Sequence, residues 1–141
     1  MMNESPYLTH REILLNGMYG TAYCLQQFVL HQLDPYRYAF DIDNHSGGFD
    51  GRHIQIYKDM KQWYWDNGPA SVGFKEVAEI IQSRRTQQAQ SNLEQLRRLR
   101  EMRPEDYPHE PGENQLEAYR SDVELHEWFH RKHVAKGDID E

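Results

Sequence analysis

Between Gly73 and Pro104 the chain runs for thirty residues without a glycine or a proline. The stretch is rich in Glu, Gln, Arg and Leu, all good helix formers, and holds nothing that starts a turn. Its composition predicts one long helix over 73–103. Phe74, Val77, Ile80 and Ile81 give the first part a core-facing side. From Gln82 to Asn92 the pattern turns polar, and Leu93, Leu96, Leu99 and Met102 then restore an apolar stripe. A half-polar helix of this length needs another surface to lie against. The leucine run is too short for a coiled coil, which takes three or four heptads.

The remaining segments are shorter and well punctuated. Thr9-His10-Arg11-Glu12 reads as a capping box, with Leu8 and Ile13 placed as a hydrophobic staple. It opens a helix expected over 9–33, which Asp34-Pro35 stops because a residue before proline avoids the α region. Gly17 and Gly20 either weaken that helix or admit a second backbone at close range. Aromatic or apolar residues alternate with small or polar ones along Tyr36–Asp43, which suggests a short extended segment at 38–42. Asn44–Gly48 is turn-rich. Asp50 is placed to cap a helix over 50–67, striped by His53, Ile56, Tyr57, Met60, Trp63 and Tyr64. Asn67-Gly68-Pro69 is its stop. Pro104, Pro108, Pro111 and Gly112 mark a linker over 104–114, and a C-terminal helix follows over 115–134. Residues 136–141 are expected to be a frayed acidic tail. The fold class is thus mainly α: a single helical domain, 1–141, of about four helices with one of them long. Phe28, Ile56, Trp63 and Ile81 are expected in its core.

At 141 residues and 28% charged side chains the chain can build one modest core, with its 12% of aromatics supplying large buried areas. The single cysteine, Cys24, allows no internal disulfide and suggests a reducing compartment. No apolar run reaches membrane-spanning length, and Met1–Pro6 lacks a basic start and an apolar stretch, so a cytoplasmic location with no membrane partner is expected. The net charge of -7 is unevenly spread. Residues 1–83 carry net -4, residues 84–103 net +4 and residues 104–141 net -7. The central basic segment owes its charge to Arg84, Arg85, Arg97, Arg98, Arg100 and Arg103. Such a segment can meet the chain's own acids, an acidic partner or phosphate.

One motif spells out a reaction. His126-Glu127-Trp128-Phe129-His130 has the HExxH form, in which two histidines one helical turn apart can hold zinc and Glu127 can act as general base on a metal-bound water. The rest of the chain does not complete such a site. A third ligand must lie outside the pentapeptide, and only eleven residues follow His130. His133 is too close along the same helix to surround a tetrahedral ion. His109, Glu113 and Asp122 suit by type alone. The plainer alternative is a histidine-rich helix end, where cationic side chains meet the negative end of the helix dipole. The expectation is therefore no catalytic residue and no cofactor, with Glu127, His126, His130 and zinc as the alternative.

Asp41–Gly51 invites a calcium reading, but the EF-hand order fails: from Asp41, position six is Ser46 and position twelve is Arg52. Cys24 sits in an apolar region with no neighbouring base and reads as a small buried hydrophobe.

Cys24-Leu25-Gln26-Gln27-Phe28-Val29-Leu30-His31, then Tyr38-Ala39-Phe40-Asp41-Ile42, then Phe49-Asp50 opening a helix, resemble an uncharacterised family of small proteins carried by bacterial phages, plasmids and integrative elements. The likeness covers about residues 18–65. It implies a setting, a bacterial mobile element, and carries no functional residue. The functional expectation is a small acidic protein-binding accessory factor, with inhibition of a host system as one form of that role. Its partner would be a host protein or a second copy, giving a homodimer. The expected contact residues are Arg84, Arg85, Leu93, Leu96, Arg97, Leu99, Arg100 and Arg103. The competing expectations are a small HExxH zinc hydrolase and a weak nucleic-acid binder using the same arginines.

Overall fold

The helix expected over 9–33 is three helices. The structure, a computed structural model, describes residues 4–42 and 49–140. Among these it contains six α-helices rather than about four, and no strand: α1 Pro6–Thr9, α2 Arg11–Asn16, α3 Gly20–Leu33, α4 Gly51–Asn67, α5 Phe74–Glu101 and α6 Gln115–Lys136. The mainly helical fold class holds. The expected extended segment at 38–42 forms no strand. Residues 43–48, which hold most of the calcium-like loop and its turn, lie outside the described residues.

The extra helix ends have local causes. Thr9 does not cap forward onto Glu12. Its hydroxyl donates back to the Ser5 carbonyl at 3.2 Å, and the Glu12 carboxylate accepts from Asn16 instead. The N-cap is Ser5, whose Oγ accepts from the Tyr7 amide, with Pro6 at the first helical position. A second break follows at Gly17. A Cβ there would stand 2.6 Å from the Ala22 Cβ, so the close approach anticipated for this glycine is real and α2 and α3 meet across it. The other stops fall where expected. Asp34 ends α3, its Oδ1 accepting from the amides of Tyr36 and Arg37. Asp50 caps α4 through the His53 amide at 2.9 Å. Gly68 ends α4 with φ at 69°.

The chain divides into two compact units, Met1–Arg84 and Arg85–Glu141. The core of the first is strongly aromatic. Tyr7, Phe28, Tyr38, Tyr57 and Phe74 are buried with Leu14, Leu25, Leu30, Ile56, Met60, Val77 and Ile81. Phe28 meets Tyr57 edge to face at 4.7 Å, and Phe74 meets both Tyr7 and Tyr64 at 5.0 Å. Buried phenols need partners. The Tyr7 hydroxyl donates to the Gln32 side-chain oxygen at 2.6 Å, and burial pushes its pKa far up, so it remains a donor. Of the four expected core residues, Phe28, Ile56 and Ile81 are buried, while Trp63 is partly buried at the margin.

The second unit starts within α5, which is continuous over 28 residues as the absence of breakers requires. At 1.5 Å per residue it is about 42 Å long. Beyond it a 3-10 turn, Pro104–Asp106, tightens the linker, and Arg103 holds Asp106 through both carboxylate oxygens. Asn114 caps α6, its Oδ1 accepting from the Glu117 amide. Gly137, in the left-handed region at φ 88°, ends it. Within this unit α6 runs antiparallel to residues 85–101 of α5. The Tyr119 hydroxyl donates to the Leu99 carbonyl at 2.6 Å, and Asn92 donates to the His126 carbonyl at 2.9 Å. Ala89, Leu96 and Leu99 are buried there. No helix among the described residues is long and apolar enough to cross a membrane.

Candidate functional site

The helix that carries HExxH also carries the largest apolar exposure of the second unit: Leu125 and Trp128 lie opposite the motif histidines, and Phe129 lies between, its ring 6.4 Å from that of His126. Helical geometry separates them. Tyr119, Val123, His126, His130 and Val134 recur at three- and four-residue spacing and form one face of α6. Leu125, Trp128 and Lys132 continue the same spacing half a turn away, with Phe129 beside them.

The inner face turns its polar groups toward α5. His126 Nε2 lies 2.7 Å from the Gln95 side-chain oxygen. Its Nδ1 lies 2.9 Å from the Asp122 carbonyl and 3.0 Å from the Asp122 carboxylate. Both ring nitrogens therefore face protein oxygens. Glu127 is paired with Arg100 at 3.5 Å. Asp122 also accepts from the Tyr107 hydroxyl at 2.9 Å, and that bond raises the Tyr107 pKa. His130 stands apart from this network, its Nδ1 buried and without a hydrogen-bond partner. Among the described residues no three His, Cys, Asp or Glu side chains form a group able to hold a metal. His109, exposed on the linker, hydrogen-bonds the Tyr107 carbonyl. The motif histidines thus sit in a helix–helix seam rather than around an open coordination position.

The expected fraying from residue 136 does not reach Asp138. Asp138 is buried, its side chain 1% exposed. One carboxylate oxygen lies 2.7 Å from Arg85 Nη2, and the other accepts from His133 Nδ1 at 2.8 Å. The Arg85–Asp138 approach is a charge pair whose orientation does not meet hydrogen-bond geometry. The Gly137 turn folds the chain back and brings Asp138 to the start of this unit. A glycine after a helix followed by an acid was a readable signal. Its partner, Arg85, was not, because it lies more than fifty residues away in sequence.

The arginines expected to greet a partner are largely engaged within the chain. Arg84 donates to the Leu15 carbonyl, and Arg85 is held by Asp138. Arg98 pairs with Glu94, Arg100 with Glu127 and Arg103 with Asp106. Arg97 is exposed. Leu96 and Leu99 are buried in the hairpin and Leu93 is half-buried, so the stripe that suggested a partner is the seat of α6. Of the surfaces the sequence leaves open to that stripe, the chain's own C-terminal helix is the one Leu96 and Leu99 face. Arg98, Arg100 and Arg103 are solvent-exposed although paired, and Arg97 is exposed beside them.

Most of the second unit's exposed large apolar side chains lie on the outer face of α6. No residue of α6 is fully buried. Leu125 is 48% exposed, Trp128 47% and Phe129 39%. The indole of Trp128 meets the Phe129 ring at 5.3 Å, and Lys132 lies over it at 5.2 Å. Trp and Phe flanked by a cation form a characteristic contact chemistry.

A second polar constellation lies in the first unit. The Tyr19 hydroxyl is 2.9 Å from His53 Nε2, and His53 Nδ1 is 2.7 Å from Asp50 Oδ1. The hydroxyl–imidazole–carboxylate order is that of an activated nucleophile. Asp50, however, is also the N-cap of α4, and the amide of His53 is the main reason its pKa is lowered. The chain of bonds ties the start of α3 to the start of α4. Asp50 was legible as a cap; Tyr19 was not, since only the break after Asn16 places it there. Cys24 is half-buried on α3.

No family model, curated protein or solved structure matches this chain.

Proposed function

We propose that this protein is a small protein-binding accessory factor whose contact surface is the outer face of α6. The observation that supports it is the exposure of Leu125, Trp128 and Phe129 together on a helix whose opposite face is already seated on α5. Aromatic side chains left in water on a regular helix are the anchors that interfaces use. The setting implied by the resemblance, a bacterial mobile element, fits an accessory role such as antagonism of a host system. The acidic net charge of -7 favours this reading over nucleic-acid binding. The commitment of His126 and Glu127 to Gln95, Asp122 and Arg100 favours it over zinc-dependent hydrolysis.

Site-specific photo-crosslinking in bacterial cells tests it. A photoreactive residue at position 125 or 129 is expected to capture protein, and Trp128→Glu added in the same chain is expected to abolish capture while the helical spectrum and melting stay unchanged. Capture from Gln90, exposed on α5, with none from 125 or 129, would place the contact surface elsewhere.

A further inference from the structure

We propose that the outer face of α6 pairs antiparallel with α6 of a second copy of this chain. This rests on the protein-binding reading above and names the partner.

The argument begins with spacing. Ala118, Ser121, Leu125, Trp128, Lys132 and Ala135 recur at alternating steps of three and four, the a and d positions of a heptad. All are exposed except Ala118, which is half-buried. The small residues at both ends let two helices approach, and the large ones lie at the centre. In an antiparallel pair an a position faces a d position. Leu125 then lies opposite the second copy's Trp128, Ala118 opposite its Ala135, and Ser121 opposite its Lys132. Small faces small at the ends, large faces large at the centre, the short Ser121 leaves room for the long Lys132, and no layer sets two charges together.

Charge chooses the orientation. The register that matches these layers also brings Glu124 opposite the second copy's Arg131, twice, once on each side of the two-fold axis. Both are exposed, and they lie two turns apart on their own helix, too far to pair with each other. A parallel pair fails on the same residues. It would set Glu117 beside Asp122, Arg131 beside Lys136, and Lys132 against itself. Like charges across such a seam disfavour that arrangement. The face is therefore complementary to itself in one orientation, as an isologous two-fold interface requires.

Sedimentation velocity of the full chain over a wide range of concentration tests the proposal. The expected result is a reversible monomer–dimer equilibrium. Trp128→Glu should weaken it roughly 100-fold, as for a central aromatic anchor, with helical content and melting unchanged. Glu124→Lys and Arg131→Glu should each weaken it roughly tenfold, and the double variant should return to wild-type association. Only a pairing of residue 124 with residue 131 of another copy predicts that rescue. A wild type that stays monomeric throughout overturns the proposal, as does a dimer indifferent to Trp128→Glu, or a double variant no better than its parents. Should the chain be monomeric while positions 125 and 129 still capture another protein, the second-copy assignment falls and the protein-binding reading stands. If neither association nor capture occurs, both fall.

Discussion

Asp138 shows how much one residue near a chain end can hold. Its carboxylate meets a guanidinium on one side and an imidazole on the other, with almost no solvent. Removing one member of a buried pair strands the other, so Asp138→Ala should destabilise the second unit by about 3 kcal/mol. Glu101→Ala, exposed at the end of α5, should stay within about 0.5 kcal/mol. Urea denaturation of the two variants makes the comparison; equal effects would mean that Arg85 and Asp138 do not pair in solution. Tyr19→Phe removes the hydroxyl that meets His53 and should cost about 1 kcal/mol. A loss of that size with no other consequence marks the Tyr19–His53–Asp50 chain as a strut between α3 and α4. His10 gives the pH dependence a sign. Burial holds its pKa below the ordinary 6.5, with Asp59 opposing and Arg52 reinforcing the effect. The unfolded chain takes up its proton first as pH falls through 6.5, so acidification in that window removes stability and raising the pH restores it. The slope of unfolding free energy between about pH 7.5 and pH 5 should be smaller in His10→Gln than in wild type, and equal slopes would assign the acid sensitivity to other groups.

Elements were legible in the sequence to the extent that their ends are set locally. Pro35, Asp50, Gly68, Pro104 and the breaker-free run before it each act on the residue next door, and the helix ends they set fall close to where they were expected. The ends that were missed depend on contact at a distance. The break at His10 follows from Ser5 taking the cap, and the break at Gly17 from Ala22 lying against it. The same distinction explains the site. Periodicity places Leu96 and Leu99 on a stripe but does not say whether the surface facing it is α6 or a foreign protein. It places two histidines on one face of α6 but does not distinguish a metal site from a seam against Gln95. The two stripes separate by experiment. Leu96 is fully buried, so Leu96→Ala should cost about 3 kcal/mol of stability and leave association unaffected at concentrations where the chain is folded. Leu125→Ala should do the reverse, changing stability by less than about 0.5 kcal/mol while weakening association. A large loss of stability in Leu125→Ala would mean that the outer face belongs to the core of the chain.

At the scale of the whole molecule, the proposal assigns contact with the surroundings to the outer face of α6, which holds Leu125, Trp128 and Phe129. The arginines that give the central segment its positive charge are largely balanced from within, and the aromatic core of the first unit is closed. Oxidative footprinting read by mass spectrometry tests this most directly. It compares dilute purified protein with the same protein inside bacterial cells that express it. Trp65, 85% exposed on α4, serves as the internal reference. In dilute solution Trp128 should be oxidised readily, as its 47% exposure requires. In cells its labelling should fall several-fold relative to Trp65, together with that of Leu125 and Phe129. Trp128 labelling that tracks Trp65 in both conditions would contradict the account, because the outer face of α6 would then meet nothing.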